Sequence, residues 1–457
     1  MLFERIESEG LAHYSYMIGA GTTAVVIDPR RDCGVYVDLV RENGMRITHI
    51  LETHRNEDYV IGSAELAART GAQIWHADSE LPYAYGKPVK EDQVWKVGAF
   101  KIKALSTPGH TPGSMSYLLY DPDGNPWVCF TGDALFAGDA GRIDLMGMDK
   151  AEKMAGMLYE SIFKKLLPLG DGVIVCPAHG SGSVCGSEIA ERTWTTIGLE
   201  RRYNPKLQYK DKNEFISNVA KELERPPYFR MMEKHNLEGA PILGSLPVPP
   251  ALSAAEFSDK IKDSFILDTR MELGFGSAHI PYSQSIWKGG LASFAGWFIP
   301  YDKPILLVTE DNDPADIVRR LVRIGYDSIA GALAGGMLSW HMSGEPSCSI
   351  RTVNVQELCR KLDTGDNTLI LDVRGPDEIE SRGRIPEALE IHVTLIPERL
   401  EEIPKDKKIT VFCGSGMRSM IAASFLAKHG YNDLRVVLGG LSGWNSASCP
   451  IDLKEKD

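Results

Sequence analysis

The feature that most restricts the fold of this 457-residue chain is a repeat. Phe265-Ile266-Leu267-Asp268-Thr269-Arg270 returns about a hundred residues later as Leu369-Ile370-Leu371-Asp372-Val373-Arg374. His279-Ile280-Pro281 is answered by Arg384-Ile385-Pro386, and the apolar run 304–308 by 408–412. In each copy a helical pattern then ends at a Gly-Tyr pair, Gly325-Tyr326 or Gly430-Tyr431. Both close on two glycines and a tryptophan, Gly335-Gly336-Met337-Leu338-Ser339-Trp340 and Gly439-Gly440-Leu441-Ser442-Gly443-Trp444. Apolar runs alternating with helical patterns at this spacing predict a small α/β fold with a parallel sheet, present twice.

The residues before the repeat form a different block, ending in a proline-rich linker at 244–250. Short β-type runs (23–27, 116–120, 173–176) interleave there with helical stretches at 63–70 and 150–165, so a layered α/β domain is expected. The expected division is 1–245, with a C-terminal helical extension, then 252–346 and 350–457. A formal charge of −12 without a Lys/Arg-rich run argues against nucleic acid and anionic membrane as partners. No apolar run approaches the ~20 residues of a membrane span, and the opening MLFERIESEG has no signal-like apolar region. Eight cysteines spread without a CxxC pair suit free thiols in a reducing cytoplasm.

In the last block the run 409–412 leads into Cys413-Gly414-Ser415-Gly416-Met417-Arg418-Ser419 and then a helical pattern. A strand-to-helix loop collects backbone N–H groups around its centre, and its glycines permit the conformations this needs. A thiol at its start is expected to have a lowered pKa and to be nucleophilic, with Arg418 adding positive charge for an anionic substrate. The plainer reading is a packed cysteine at a strand end. The middle block has Thr309-Glu310-Asp311-Asn312-Asp313-Pro314 at this place, acidic and without cysteine, which would repel an anion.

With Asp372-Val373-Arg374 and the Gly-Gly-x-x-x-Trp close, the last block resembles the rhodanese (sulfurtransferase) family. The six-residue span from Cys413 to Arg418 suits sulfur transfer rather than the longer loop of related phosphatases. The resemblance implies that Cys413 carries a sulfane sulfur in a loop formed by Gly414, Ser415, Gly416 and Met417. The middle block then resembles an inactive rhodanese, a spacer or interface domain.

The first block offers four polar loops after apolar runs or Pro/Gly turns: Thr53-His54, Pro108-Gly109-His110-Thr111-Pro112-Gly113, Thr131-Gly132-Asp133 and Pro177-Ala178-His179. Strand ends are where α/β sheets gather their sites, so these loops read as a metal constellation. His13, His49, His76, His235, His341, His392 and His429 lack such context and read as surface or core residues.

This arrangement resembles the metallo-β-lactamase superfamily from residue 1 to about 210. That implies an αββα sandwich, ahead of the two rhodanese-like parallel-sheet domains. The superfamily's His-x-His-x-Asp-His motif reads here His54, Asn56, Asp58, Tyr59, so neither metal site of its two-metal members can be completed in the usual way. His54, His110 and Asp133 remain. Two histidines and one carboxylate on one face of an ion are the arrangement of non-haem Fe(II) oxygenases. The resemblance implies a persulfide dioxygenase with one Fe(II) per chain. It would oxidise a thiol persulfide such as glutathione persulfide with O2 to sulfite and thiol, coupled to thiosulfate formation or use at Cys413. Asn56, Asp58, Tyr59, Arg142, His179 and Tyr228 are expected around the ion or substrate, with Arg142 either anchoring a carboxylate or locking Asp144. Tyr228 and Arg230 belong to a segment expected over the site's mouth. Alternatives are a glyoxalase II-like zinc thioester hydrolase and a non-catalytic sulfur carrier. The resemblance further implies a homodimer or homotetramer.

Overall fold

The structure, a computed structural model, describes residues 1–186, 188–223, 225–311, 313–363, 368–447 and 449. Asn312 of the acidic loop and the end of the last block, expected to reach 457, lie outside them. The chain divides into two compact units, 1–246 with 322–325, and 247–321 with the residues from 326 on.

The first unit holds two six-stranded sheets. One runs in order β1 (Leu2–Ser8), β2 (His13–Ala20), β3 (Thr23–Ile27), β4 (Arg46–Leu51), β5 (Gln73–His76), β6 (Lys87–Pro88). Its first three strands are antiparallel and the rest pair parallel. The other runs β12 (Thr195–Thr196), β11 (Ile174–Pro177), β10 (Pro126–Gly132), β9 (Met115–Tyr120), β8 (Phe100–Ser106), β7 (Val94–Val97). Alternation along each strand sends one set of side chains to each face. Tyr16, Ile18, Val25 and Ile27 pack against Ile102, Tyr117, Leu119 and Phe130 between the sheets. The intervening Met17, Ala24 and Val26 meet Tyr36, Val40 and Leu66 of the helices Gly34–Glu42 and Ser63–Thr70. Behind the second sheet, Leu118, Cys129 and Val175 meet Met154 and Leu158 of the helix Ala151–Glu160. The result is the αββα sandwich that the resemblance implies.

The second unit contains two five-stranded parallel sheets of matching order. They are β13 (Ala251–Leu252), β17 (Ile329–Leu333), β16 (Ile305–Val308), β14 (Phe265–Asp268), β15 (Gln284–Ser285) and β18 (Arg351–Asn354), β22 (Leu434–Leu438), β21 (Ile409–Phe412), β19 (Leu369–Asp372), β20 (Leu389–Glu390). The repeated motifs are structural. Asp268 holds Arg270 through Nε (2.9 Å) and Nη2 (2.7 Å), and Asp372 holds Arg374 in the same way at 3.0 and 2.6 Å. Each arginine also donates to a backbone carbonyl, of Ala278 or of Gly383. Trp340 and Trp444 are fully buried in the two cores.

One expectation fails. Cys359 and Cys449 are joined as a disulfide, with Cα atoms 6.0 Å apart across 90 residues of sequence. The cause is tertiary: the helix Val355–Asp363 packs beside the helix Gly440–Ser446, which brings Cys449 alongside Cys359. Six cysteines, among them Cys185 and Cys413, are free. Among the described residues no helix is long and apolar enough to cross a membrane.

Candidate functional site

Buried carboxylates outside the expected motifs fix the polar loops of the first unit. After β3, Asp28 accepts from Thr53 N (2.8 Å) and Thr53 Oγ1 (2.7 Å), and that hydroxyl lies 2.9 Å from His54 Nδ1. Burial pushes the Asp28 carboxyl up to about 6. Asp78 ties two loops together, accepting from Arg55 N (2.9 Å), Thr111 Oγ1 (2.9 Å) and Gly113 N (2.8 Å). His110 Nδ1 lies 2.9 Å from the Arg142 carbonyl. With Nδ1 engaged on both imidazoles, the Nε2 atoms are left to face the site, the outer-sphere arrangement that orients ligating histidines.

Asp133 Oδ2 stands 3.7 Å from His54 Nε2 and 3.4 Å from His110 Nε2. Donors ~2.0–2.2 Å from one ion lie roughly 3–3.6 Å apart, so the His110 spacing fits a shared cation and the His54 spacing needs only about 0.1 Å of closure. His179 Nδ1 is 2.8 Å from Asp133 Oδ1, and its Nε2 is 3.1 Å from Asp58 Oδ2. Burial raises the Asp133 carboxyl, but His179, His54 and His110 together hold it well below the usual carboxylate range. The Nε2 atoms of His54, His110 and His179 are buried without a hydrogen-bond partner, as are Glu57 Oε2 and Asp58 Oδ1. Each such atom costs about 1–3 kcal/mol unless something compensates it. A bound cation satisfies several at once.

The structure therefore brings together His54, His110 and Asp133, and sets His179 and Asp58 beside them. It also adds residues that sequence reasoning passed over. Glu57, fully buried, places Oε2 3.5 Å from His110 Nε2, and its donor atom groups with those of His54 and His110 within 4.8 Å. The motif leaves this position variable, so the signal was an acid directly after a missing histidine. Cys185 groups with Asp58 and His179, and with His110 and Asp133, within the same limit. As one of eight scattered cysteines it carried no signal. His13, read as an ordinary histidine, is fully buried in the wall, its ring 3.9 Å from that of Tyr59 and 5.8 Å from that of His179.

Asn56 turns back on its own loop, Nδ2 donating to the His54 carbonyl at 3.3 Å. Tyr59 is buried with its hydroxyl unpartnered. Arg142 grips Asp144 at 2.7 Å through both Nε and Nη2 and donates to the carbonyls of Val184 and Leu223. Of its two expected roles, the geometry displays the lock. Tyr228 is buried at the start of the helix Phe229–Glu238, edge-on to Phe229, which faces the Arg142 guanidinium at 5.8 Å. Arg230 is exposed.

In the second unit, Cys413 directly follows β21 and is fully buried, and Gly416 N donates to its Sγ at 3.1 Å. Behind the loop stands the helix Met417–Lys428, whose N-terminal partial charge favours an anion. The Gly-Gly close braces this loop: Gly439 N donates to Ser415 O (2.9 Å) and Leu441 N to Cys413 O (3.0 Å). A Cβ on Gly440 would stand 2.2 Å from the Cys413 carbonyl oxygen. Arg418 is at the rim, where its Nη2 donates to Glu378 at 2.7 Å. At the matching place in the other repeat, Thr309 Oγ1 donates to the Asp311 carbonyl and Glu310 accepts from Met271 N at 3.4 Å.

The rhodanese-like domain family matches residues 253–343 and 354–447, and the metallo-beta-lactamase superfamily matches 9–179. Hydroxyacylglutathione hydrolase GloC of Haemophilus influenzae is 30% identical over 41% of this chain and 88% of its own length. Persulfide dioxygenase ETHE1 of Bos taurus is 29% identical over 42% of this chain and 71% of its own. A sulfurtransferase of Allochromatium vinosum is 35% identical over 22% of this chain and 94% of its own. A crystal structure of a metallo-beta-lactamase from Staphylococcus aureus superposes with a TM-score of 0.65, at 29% identity, covering 73% of this chain and 99% of that one. The chain thus belongs to the metallo-beta-lactamase superfamily through its first block and to the rhodanese-like family, twice over, through the rest.

Proposed function

We propose that the first domain, 1–245, oxidises a low-molecular-weight thiol persulfide with O2, and that the domain 350–457 transfers sulfane sulfur through Cys413, with the domain 252–346 inactive between them. The observation that carries the first half is that His54 Nε2 and His110 Nε2 lie buried 3.7 and 3.4 Å from Asp133 Oδ2, while Asn56 and Tyr59 of the His54 loop stand where a two-metal site has histidines. ETHE1, similar over this region, is a persulfide dioxygenase by name.

His54, His110 and Asp133 would hold one Fe(II), which when bound supplies adjacent open positions for a sulfur and for O2. The chain does the rest. Asp28 through Thr53, and the Arg142 carbonyl, hold the two imidazoles in one tautomer and orientation. His179 does the same for the Asp133 carboxylate. Burial keeps bulk water from the reacting sulfur. The net reaction takes persulfide anion, O2 and water to thiol, sulfite and one proton, with four electrons passing from the terminal sulfur to O2. At the second site the Cys413 persulfide gives its outer sulfur to sulfite; the S–S bond breaks, thiosulfate leaves, and the thiolate is restored beside Gly416 N–H.

A second reading has one observation in its favour. Asp58, His179 and Cys185 form a separate donor group, which with the similarity to GloC suits a two-metal thioester hydrolase. Metal analysis with parallel assays separates the two: iron with O2 consumption and sulfite from glutathione persulfide supports the dioxygenase. Zinc with thioester cleavage and no O2 uptake overturns it.

A further inference from the structure

Position 56 is where the superfamily motif places a metal-binding histidine, and here it is an asparagine whose Nδ2 donates to the His54 carbonyl at 3.3 Å and whose Oδ1 is buried without a hydrogen-bond partner. Its backbone is pinned in that arrangement by Asn236, whose Nδ2 donates to the Asn56 carbonyl at 2.7 Å. One residue on, Glu57 is fully buried. Arg55 reaches one of its oxygens at 3.3 Å but shares its guanidinium with Glu233 at 2.9 Å. The other oxygen, Oε2, has no hydrogen-bond partner and stands 3.5 Å from His110 Nε2, and a Glu57 carboxylate oxygen lies with ring nitrogens of His54 and His110 within 4.8 Å of one another. A carboxylate oxygen in a dry interior needs a cation or a donor. The Nε2 atoms of the expected ligands His54 and His110 are themselves buried without partners.

We propose that Glu57 is a direct metal ligand that takes the place of the histidine missing at position 56, so that the ion sits among His54, Glu57, His110 and Asp133. The inference rests on the metal-binding reading above and adds a fourth donor to it. Its chemistry differs from that of the superfamily's histidine-rich site. Two carboxylates neutralise a divalent cation, and the harder donor set favours Fe(II) or Mn(II) over ions that prefer thiolate. In a six-coordinate ion, four protein donors leave two open positions instead of three, room for one substrate sulfur and one O2.

The test is anaerobic titration of the full chain and of Glu57→Gln with Fe(II) against a chromophoric chelator, with thermal unfolding of both metal-free proteins alongside. The proposal expects the wild type to bind one Fe(II) and Glu57→Gln to bind it at least about 10–100-fold more weakly, the range lost even when outer-sphere partners are removed. Cooperative unfolding of both metal-free proteins shows that each is folded, so that a loss of affinity is not a loss of structure. Equal affinity in the two proteins overturns the proposal and leaves the three-residue site standing. Absence of binding by the wild type overturns both. Should Glu57→Gln fail to fold, a crystal structure of the Fe(II)-loaded wild type decides: Glu57 Oε2 at ~2.0–2.2 Å from the ion supports the proposal, and a separation beyond ~3 Å overturns it.

Discussion

In the proposed function Cys413 and His54 serve different chemistries, and single substitutions should part them. Cys413→Ser is expected to abolish sulfur transfer from thiosulfate while leaving O2 uptake with supplied persulfide unchanged; His54→Ala should do the reverse, and loss of both activities in either variant would contradict independent sites. At the rim of the Cys413 loop the Arg418 charge is shared with Glu378, 2.7 Å away. Glu378→Gln frees that charge for a dianion, so kcat/KM for thiosulfate should rise several-fold; a fall would show that Glu378 is needed to position Arg418. Cys413, Arg418 and His110 were legible because each lies in a contiguous signature, Cys-x4-Arg or Pro-Gly-His-Thr-Pro-Gly. Glu57, Cys185, Asp28 and Asp78 were not. Their roles depend on loops brought together by the fold, and only Glu57, an acid directly after a missing histidine, has even a local mark.

The repeated elements carry the next set of consequences. Gly336 and Gly440 hold equivalent places with φ 57° and 44°, both in the left-handed region. A Cβ on Gly336 meets no atom nearer than 3.9 Å, whereas one on Gly440 collides with the Cys413 backbone. Gly336→Ala should therefore cost only the conformational strain, about 1–2 kcal/mol. Gly440→Ala should destabilise more and also abolish sulfur transfer, as read by unfolding and by turnover. His279 offers a pH test of the middle repeat. Burial pushes its imidazole down to about 4, and the ring stacks on Phe275 at 4.0 Å. Above pH ~6.5 it is neutral both folded and unfolded, so its packing counts in full. As pH falls from there toward 4 the unfolded chain takes up a proton that the folded one refuses, and stability drops by up to about 3 kcal/mol. His279→Gln should flatten that part of the stability-versus-pH curve; an unchanged slope would reject the assignment. Strands and helices here were readable from the doubled Asp-x-Arg and Gly-Gly-x-x-x-Trp motifs, whose buried ion pairs and tryptophans recur in both cores. The Cys359–Cys449 pairing was not readable, since only helix packing brings those thiols together.

For the whole molecule, the sandwich was legible through alternating strands and polar loops in the superfamily's order, and the loop Thr53–Tyr59 showed which donors were lost. It did not show what replaced them, because a ligand set is a property of four loops at once. Two independent chemistries in one chain predict that a chelator stops persulfide oxidation and leaves Cys413 sulfur transfer intact; inhibition of both would link the metal to the second site. The most direct measurement is O2 consumption by the Fe(II)-reconstituted full chain supplied with glutathione persulfide, with sulfite counted in the Cys413→Ser background so that none is drawn off as thiosulfate. One sulfite for each O2 consumed, lost in His110→Ala, is the predicted result. No O2 uptake by protein that has demonstrably bound iron would contradict the account.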